Sequence, residues 1–227
     1  MSSPDGAWTP PGLGQEEGQD PFPGWFADFL TAIDGVAGHE LSRFTPPPDS
    51  QTRYSAVLIL FGDGAHGPDV LLIERAADMR SHAGQPAFPG GGVDPEDDGP
   101  VAAALREAQE ETGLVPAGVT VARVLPDLWL PPSGYTVTPV IGYWRVPAPV
   151  WAAATREVAR AERIPLSDLV DPTNRVTVVH PSGYRGPGFQ VAGMLVWGFT
   201  AGLLDRLLDL AGWSQPWPTE REVGIAW

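Results

Sequence analysis

The chain contains no cysteine and no lysine. Without cysteine there is no disulfide, no thiolate metal site and no cysteine nucleophile. Without lysine there is no Schiff-base chemistry and no phosphate loop of the Walker type; a codon usage that favours Arg, Ala, Gly and Pro is the leading account of that absence. No run of 18 uncharged apolar residues occurs, so no transmembrane helix is expected, and the first 20 residues lack the basic and apolar regions of a signal peptide. A cytoplasmic location follows as the default expectation. Positive charge is scarce as well: all 14 basic residues are arginine, against 28 acids, for a net charge of −14. A surface of that sign repels nucleic acid, so neither a nucleic-acid nor a membrane partner is expected. A phosphorylated small molecule would have to be met locally, by divalent cations and a few well-placed arginines.

The chain has 227 residues, enough for one catalytic domain with extensions. Residues 1–23 are rich in Pro, Gly and acids and poor in apolar residues, and read as a loosely attached tail with Trp8 and Phe22 as the possible anchors. Residues 24–48 hold a packing helix, with Trp25, Phe26, Phe29, Leu30 and Ile33 at helical spacing up to about Val36, followed by a link at Pro46–Pro48. The domain proper spans 49–211. Arg53–Phe61 is almost continuously apolar, as a strand buried on both faces must be. After a turn at Gly62–Asp69, Val70–Glu74 reads as its hairpin partner, and Met79–Val93 as loop. Pro100–Thr112, with Pro at the start and Gly113 at the stop, predicts a helix. Strands are predicted at Val119–Leu125, Val137–Tyr143, Ala159–Arg163 and Val176–Val179, a connector at Ile164–Leu169 and a long helix over Gly193–Leu210. Residues 212–227 read as an irregular tail whose Trp213, Trp217 and Trp227 serve packing or contacts within a homodimer. The alternation predicts an α/β (α+β) fold, a mixed sheet with helices on both faces.

The chemistry concentrates between Gly91 and Leu114. Seven acids (Asp94, Glu96, Asp97, Asp98, Glu107, Glu110, Glu111) surround one base, Arg106. On the predicted helix Glu107 and Glu111 lie one turn apart on one face, with Glu110 beside them. Like charges at that spacing cost a few tenths of a kcal/mol per pair, roughly, and a cation held between them reverses the sign. Clustered carboxylates are what hard Mg2+ or Mn2+ require. Arg106 stands at i, i+4 to Glu110 and is positioned to hold it.

The order Gly92, five residues, Asp98, seven residues, Arg106-Glu107-Ala108, one residue, Glu110-Glu111, one residue, Gly113-Leu114 closely resembles the Nudix box, G-x5-E-x7-R-E-U-x-E-E-x-G-U with U apolar. One fixed position departs from it: Asp98 replaces a Glu, which puts the role of that carboxylate in doubt. The resemblance implies a Nudix fold, and attack by metal-activated water on a phosphorus of a diphosphate. It further implies Glu107, Glu111 and Glu110 as ligands of Mg2+ or Mn2+, and the carbonyl of Gly91 or Gly92 as a backbone ligand. The general base would be one of the glutamates, without saying which.

Upstream, Leu71, Leu72, Arg75, Arg80, His82, Gly84, Phe88, Pro89, Gly90 and Gly91 stand as in the signature that precedes the box in coenzyme A pyrophosphatases, with Met79 in place of Leu. Ser133-Gly134-Tyr135, Val137–Val140 and Val196–Ala201 also resemble that subfamily. This resemblance implies a coenzyme A-like nucleotide as substrate, cut to 3′,5′-ADP and (acyl-)phosphopantetheine, with Arg75, Arg80, His82 and Gly91 on the substrate side. Arg75 and Arg80 have the guanidinium forks that suit phosphate, but ordinary salt bridging is the alternative for both, and loop ordering is the alternative for His82. His66 and His180 read as surface residues. Two other readings stand beside this one: a Nudix hydrolase for ADP-ribose, NADH or another nucleoside diphosphate derivative, and a Nudix-fold module that senses a nucleotide without turnover. The close-set glutamates argue against the second, since a pure binder has no use for them.

Overall fold

The computed structural model describes residues 21–44, 53–79, 82–131 and 134–225. Most of the tail, the Pro46–Pro48 link, Arg80, Ser133 and Trp227 lie outside the described residues.

The apolar run becomes β1 (Arg53–Gly64), longer than the sequence suggested because the hairpin carries on to Gly64 before returning as β2 (Gly67–Arg75). β1 pairs in parallel along nearly its whole length with β7 (Tyr135–Trp144), from Arg53 opposite Tyr135 to Phe61 opposite Tyr143. β5 (Val119–Val124) and the short β6 (Leu128–Leu130) pair with the far side of β7, and β8 (Val158–Pro165) with β2. The predicted loop 79–93 holds two short strands, β3 (Pro86–Ala87) against β2 and β4 (Gly90–Gly92) against β1. Their glycines and prolines hide strand character from a propensity reading, since pairing here is decided by close backbone approach rather than by side chains.

Side chains of β1 alternate between two different neighbours. Ala56, Leu58 and Leu60 face α3 (Gly99–Thr112) through Ala103, Ala104 and Ala108. Ile59 and Phe61 face a layer built from the aromatic residues of α1 (Gly24–Ala32) and the leucines of α5 (Gly198–Leu210). The mixed sheet between helices is therefore as expected. Trp25, Phe26 and Phe29 of α1 are buried to within 1%, worth roughly 1.5–3 kcal/mol each relative to exposure. Phe22, inside the expected tail, packs edge-on against Phe26 and Tyr143, and Arg145 donates to the Pro21 carbonyl.

A second sheet, β11 (Met194–Val196), β10 (Arg185–Val191), β9 (Arg175–Val179) and β12 (Glu222–Gly224), was not foreseen. Its existence corrects two expectations. The helix predicted over Gly193–Leu210 begins only at Gly198: Ala192 and Gly193 have positive φ and turn β10 back as β11, an alternating Met194/Val196 pair that a helical pattern absorbed. The terminal stretch is likewise not wholly irregular, since β12 runs parallel to β9. Ile164 and Pro165 end β8, an edge strand where proline is tolerated, and the connector beyond them is a short helix, α4 (Leu166–Val170). One further turn of helix, α2 (Gly38–Leu41), follows α1.

Arg175 of β9 is fully buried, pairs with Asp205 of α5, and lies between the rings of Phe189 and Trp217 at 4.4 and 4.8 Å. Trp213 stacks on Phe29 at 5.4 Å. Of the three tail tryptophans, the two among the described residues thus pack within the chain. No helix among the described residues is long and apolar enough to cross a membrane.

Candidate active site

Three alanines on the sheet side of α3 let the helix lie close to β1 and β7, and this carries its opposite edge of carboxylates to the glycines of β4. The approach is tight. A Cβ on Gly91 would sit 2.4 Å from the Glu107 carboxylate, and one on Gly90 2.3 Å from the Ala56 carbonyl. At its far end α3 stops at Gly113, in the left-handed region at φ 69°, where any side chain would strike the Trp151 ring.

Glu111 is 2% exposed and its Oε2 accepts the Gly90 N–H at 2.9 Å. Burial pushes its pKa up to about 7, with repulsion from Glu107 and Glu157 adding and the Gly90 N–H and Arg75 opposing. Glu107 is also raised, mainly by burial, against the pull of Arg106. Glu110 is more than half exposed.

Arg106 organises this end of the helix differently from the expectation. It does meet Glu110, but at 3.5 Å. Its principal partner is Asp97, gripped by two nitrogens at 3.0 and 2.8 Å, and it also reaches Glu107 at 3.0 Å and the Gly92 carbonyl at 3.1 Å. Two parallel N–H···O bonds to a nearly buried carboxylate outweigh one long contact to an exposed one. The Arg106 hydrogen bond in turn holds the Asp97 pKa below its usual value. Asp97, not Asp98, is therefore the engaged acid of the loop. Asp98 only precedes the helix, and its side chain makes no capping hydrogen bond. A run of four acids within five residues gave no way to tell these two apart.

Arg75 stands at the end of β2. Its backbone exchanges hydrogen bonds with Gln85 and Gly84, which folds the loop back over the strand. Its guanidinium opposes the charge on Glu111, and its buried Nε has no hydrogen-bond partner among the described residues. His82 is exposed, at φ 56°, with Nδ1 2.9 Å from the Gln85 Oε1, a geometry that orders the loop. Phe88 is buried in the core. His66 is exposed as expected, whereas His180 is half-buried, its ring stacked on Trp197.

Glu157 escaped the sequence reading altogether. It sits just before β8, its carbonyl accepts the Ala76 N–H at 2.8 Å, and its charge raises the pKa of both Glu107 and Glu111. Nothing in the spacing announces it, because a loop distant in sequence delivers it beside the helix.

Among the described residues no three side chains already converge on one point as a ready metal cage. The donors nonetheless suit a hard divalent cation in kind. They comprise a buried carboxylate disposed to keep its proton, a second carboxylate against a glycine that leaves room for nothing larger, and a backbone carbonyl at Gly92. Such a group of like charges is relieved by a cation.

Comparison with known proteins followed the same lines. The family model described as the NUDIX domain matches residues 51–178. An uncharacterized Nudix hydrolase, NudL, of Citrobacter koseri is 40% identical over 189 residues, 78% of this chain and 93% of its own length. The protein of the same description from Cronobacter sakazakii is 42% identical over 147 residues, covering 62% and 73%. Among solved structures, the Nudix hydrolase RenU of M. smegmatis superposes with a TM-score of 0.50 at 23% identity, over 70% of this chain and 86% of its own, a likeness of fold.

Proposed function

The chain belongs to the Nudix family, and we propose that within it this protein hydrolyses the diphosphate of coenzyme A or an acyl-coenzyme A to 3′,5′-ADP and (acyl-)phosphopantetheine. That it is a hydrolase of pyrophosphate bonds follows from the family. The choice of substrate is our reading, and one observation carries it. The β2 end and the 82–91 loop, whose residues match the coenzyme A pyrophosphatase pattern, fold directly onto the glutamate helix through Gly90 and Arg75.

In this reading Glu107, Glu111 and Glu110 hold Mg2+ or Mn2+ with the Gly92 carbonyl as a backbone ligand. When bound, the ion lowers the pKa of a coordinated water and neutralises charge on the diphosphate. A glutamate of the cluster takes the proton as the water oxygen bonds to phosphorus and the bridging P–O bond breaks. Arg106, locked on Asp97, keeps Glu107 and the Gly92 carbonyl in place. Arg75, Arg80 and His82 meet the phosphates of the nucleotide half, and Gly91 serves the substrate side by having no side chain, which lets the Glu107 carboxylate lie against β4.

The test is a panel of coenzyme A, acetyl-coenzyme A, ADP-ribose and NADH with Mg2+ and Mn2+, the products identified by mass. Coenzyme A should give the highest kcat/KM and the pair 3′,5′-ADP plus phosphopantetheine. A tenfold preference for ADP-ribose would transfer the assignment to nucleoside diphosphate sugars, and tight binding of any member without turnover would make the protein a sensor.

A further inference from the structure

Beside the glutamate helix lies a second concavity that the catalytic groups do not use. It is an open groove of about 670 Å3, a size that accommodates one arm of a small ligand. Its walls come from the start of β1, the loop between β4 and α3, and the end of β5. Val93, Pro95 and Val124 supply apolar surface, and Tyr54 stands at its rim with 60% of its surface exposed. Exposed tyrosine and valine side by side are costly to leave in water and mark surface that something covers.

Apart from the Tyr54 hydroxyl at the rim, the polar side chains of the cavity are two carboxylates, Asp94 and Asp127, and a threonine whose donor is already engaged. Thr138 donates its hydroxyl to Asp127 Oδ1 at 2.6 Å, which fixes the carboxylate and leaves Oδ2 to accept. Asp94, on the opposite wall, touches Arg106 at 3.6 Å, and Arg106 touches Glu107 at 3.0 Å. The cavity wall is thus one arginine away from the catalytic carboxylates. Two carboxylates in its lining repel phosphate, so the cavity rejects the anionic half of any nucleotide. The positive charge lies elsewhere, at Arg75, where β2 ends. The site is therefore polar end to end: cationic at the strand end, acidic and apolar at the helix start.

We propose that this cavity binds a neutral, amide-bearing organic arm of the substrate, the chemistry of a pantetheine chain, with its N–H groups donating to Asp127 and its carbon skeleton against Val93, Val124 and Tyr54. The inference rests on the coenzyme A reading, and it orients the substrate: the phosphorylated nucleotide lies toward Arg75 and the pantetheine toward the start of α3. Val124 and Tyr54 become specificity residues that no part of the diphosphate chemistry needs.

The experiment titrates pantetheine itself, without nucleotide or phosphate, into the 15N-labelled full chain. Saturable shifts at the amides of Val93, Val124 and Thr138 are expected, with affinity falling at least tenfold in Val124→Arg, which fills the space, and several-fold in Tyr54→Ala. Both positions are exposed, so these variants keep the fold, as an unchanged Tm would verify. Absence of shifts, shifts confined elsewhere, or equal affinity in Val124→Arg overturns the proposal. Coenzyme A turnover by the same preparation separates the two readings. Pantetheine binding here without coenzyme A cleavage sinks the substrate assignment alone. Cleavage of coenzyme A with no pantetheine in the cavity sinks the cavity alone.

Discussion

The two faces of the central sheet are covered by opposite means. On one, α3 touches the strands through alanines, a thin layer that contributes little apolar area but brings carboxylates to the backbone of β4. On the other, α1 presses Trp25, Phe26 and Phe29 against Phe61, with Trp213 beyond α5 stacked behind Phe29, a thick aromatic layer without catalytic groups. The contrast teaches that a helix carrying close-set like charges can be kept in place by a fold whose stability is generated on the other side of the same sheet. Proteins commonly concentrate unfavourable local features at their sites and offset them elsewhere.

The sharpest way to break this division is Glu111→Gln. It retains size and the Gly90 hydrogen bond while removing charge, so kcat/KM should fall by at least about a hundredfold, with circular dichroism unchanged. Activity near wild type, or full activity in EDTA, would refute the glutamate-and-metal reading. The same substitution sharpens the comparison through pH. In metal-free buffer the folded carboxyl, pushed up to about 7, prefers its proton more than the unfolded one does. The stability it contributes is complete below its ordinary pKa and is lost as pH rises through about 7. The Gln variant should therefore melt higher than wild type, by a margin that widens as the pH is raised from acid to mildly alkaline. A constant margin would deny the burial effect.

On the aromatic face the effect should reverse. Phe29→Ala is expected to cost about 3–5 kcal/mol of stability, read as a large drop in Tm or denaturant midpoint, with kcat/KM of the remaining folded enzyme near wild type. An equal loss of specific activity below the melting range would show that the faces are coupled. Beginning the chain at Ser42, which deletes α1, should be more severe and leave no cooperative transition.

How far these two faces were legible in the sequence differs for a physical reason. The aromatic helix and the carboxylate helix both repeat at helical spacing, and both lie close to where periodicity placed them, since local pattern suffices for a buried stripe. Long-range geometry was not legible. Asp97 was indistinguishable from Asp98 until Arg106 selected it, and Glu157 arrives through a loop with no spacing rule. β3 and β4 are made of Pro, Ala and Gly, residues depleted in strands, and β12 is only three residues long; all three are recruited by neighbours the sequence cannot name. The helix misplaced over Met194–Val196 shows the remaining ambiguity, because a short continuous apolar run fits either a strand or a helix.

The smallest effect is expected from the amino-terminal segment. Removing residues 1–20 should leave kcat/KM and Tm unchanged, because their composition offers too little apolar surface to offset ordering. Starting instead at Gly24 also removes Phe22 from Phe26 and Tyr143, and should lower stability by about 1 kcal/mol. A loss of activity in the first truncation would assign the segment to the site.

The parallel pairing of β1 with β7 has a consequence during synthesis. The central strand emerges from the ribosome long before its partner, since Arg53–Phe61 must wait for Tyr135–Tyr143. Until then the edge of β1 that β7 will cover stays unpaired, even though the β2 hairpin, β4 and α3 are already available, and the aromatic ring cluster of α1 has no Tyr143 to close on. Non-local parallel pairings form slowly and leave unsatisfied edges exposed meanwhile. The nascent chain is therefore most prone to aggregate in the interval between these two strands, and slower translation before Tyr135 should lower the soluble yield more than the same delay placed after Trp144.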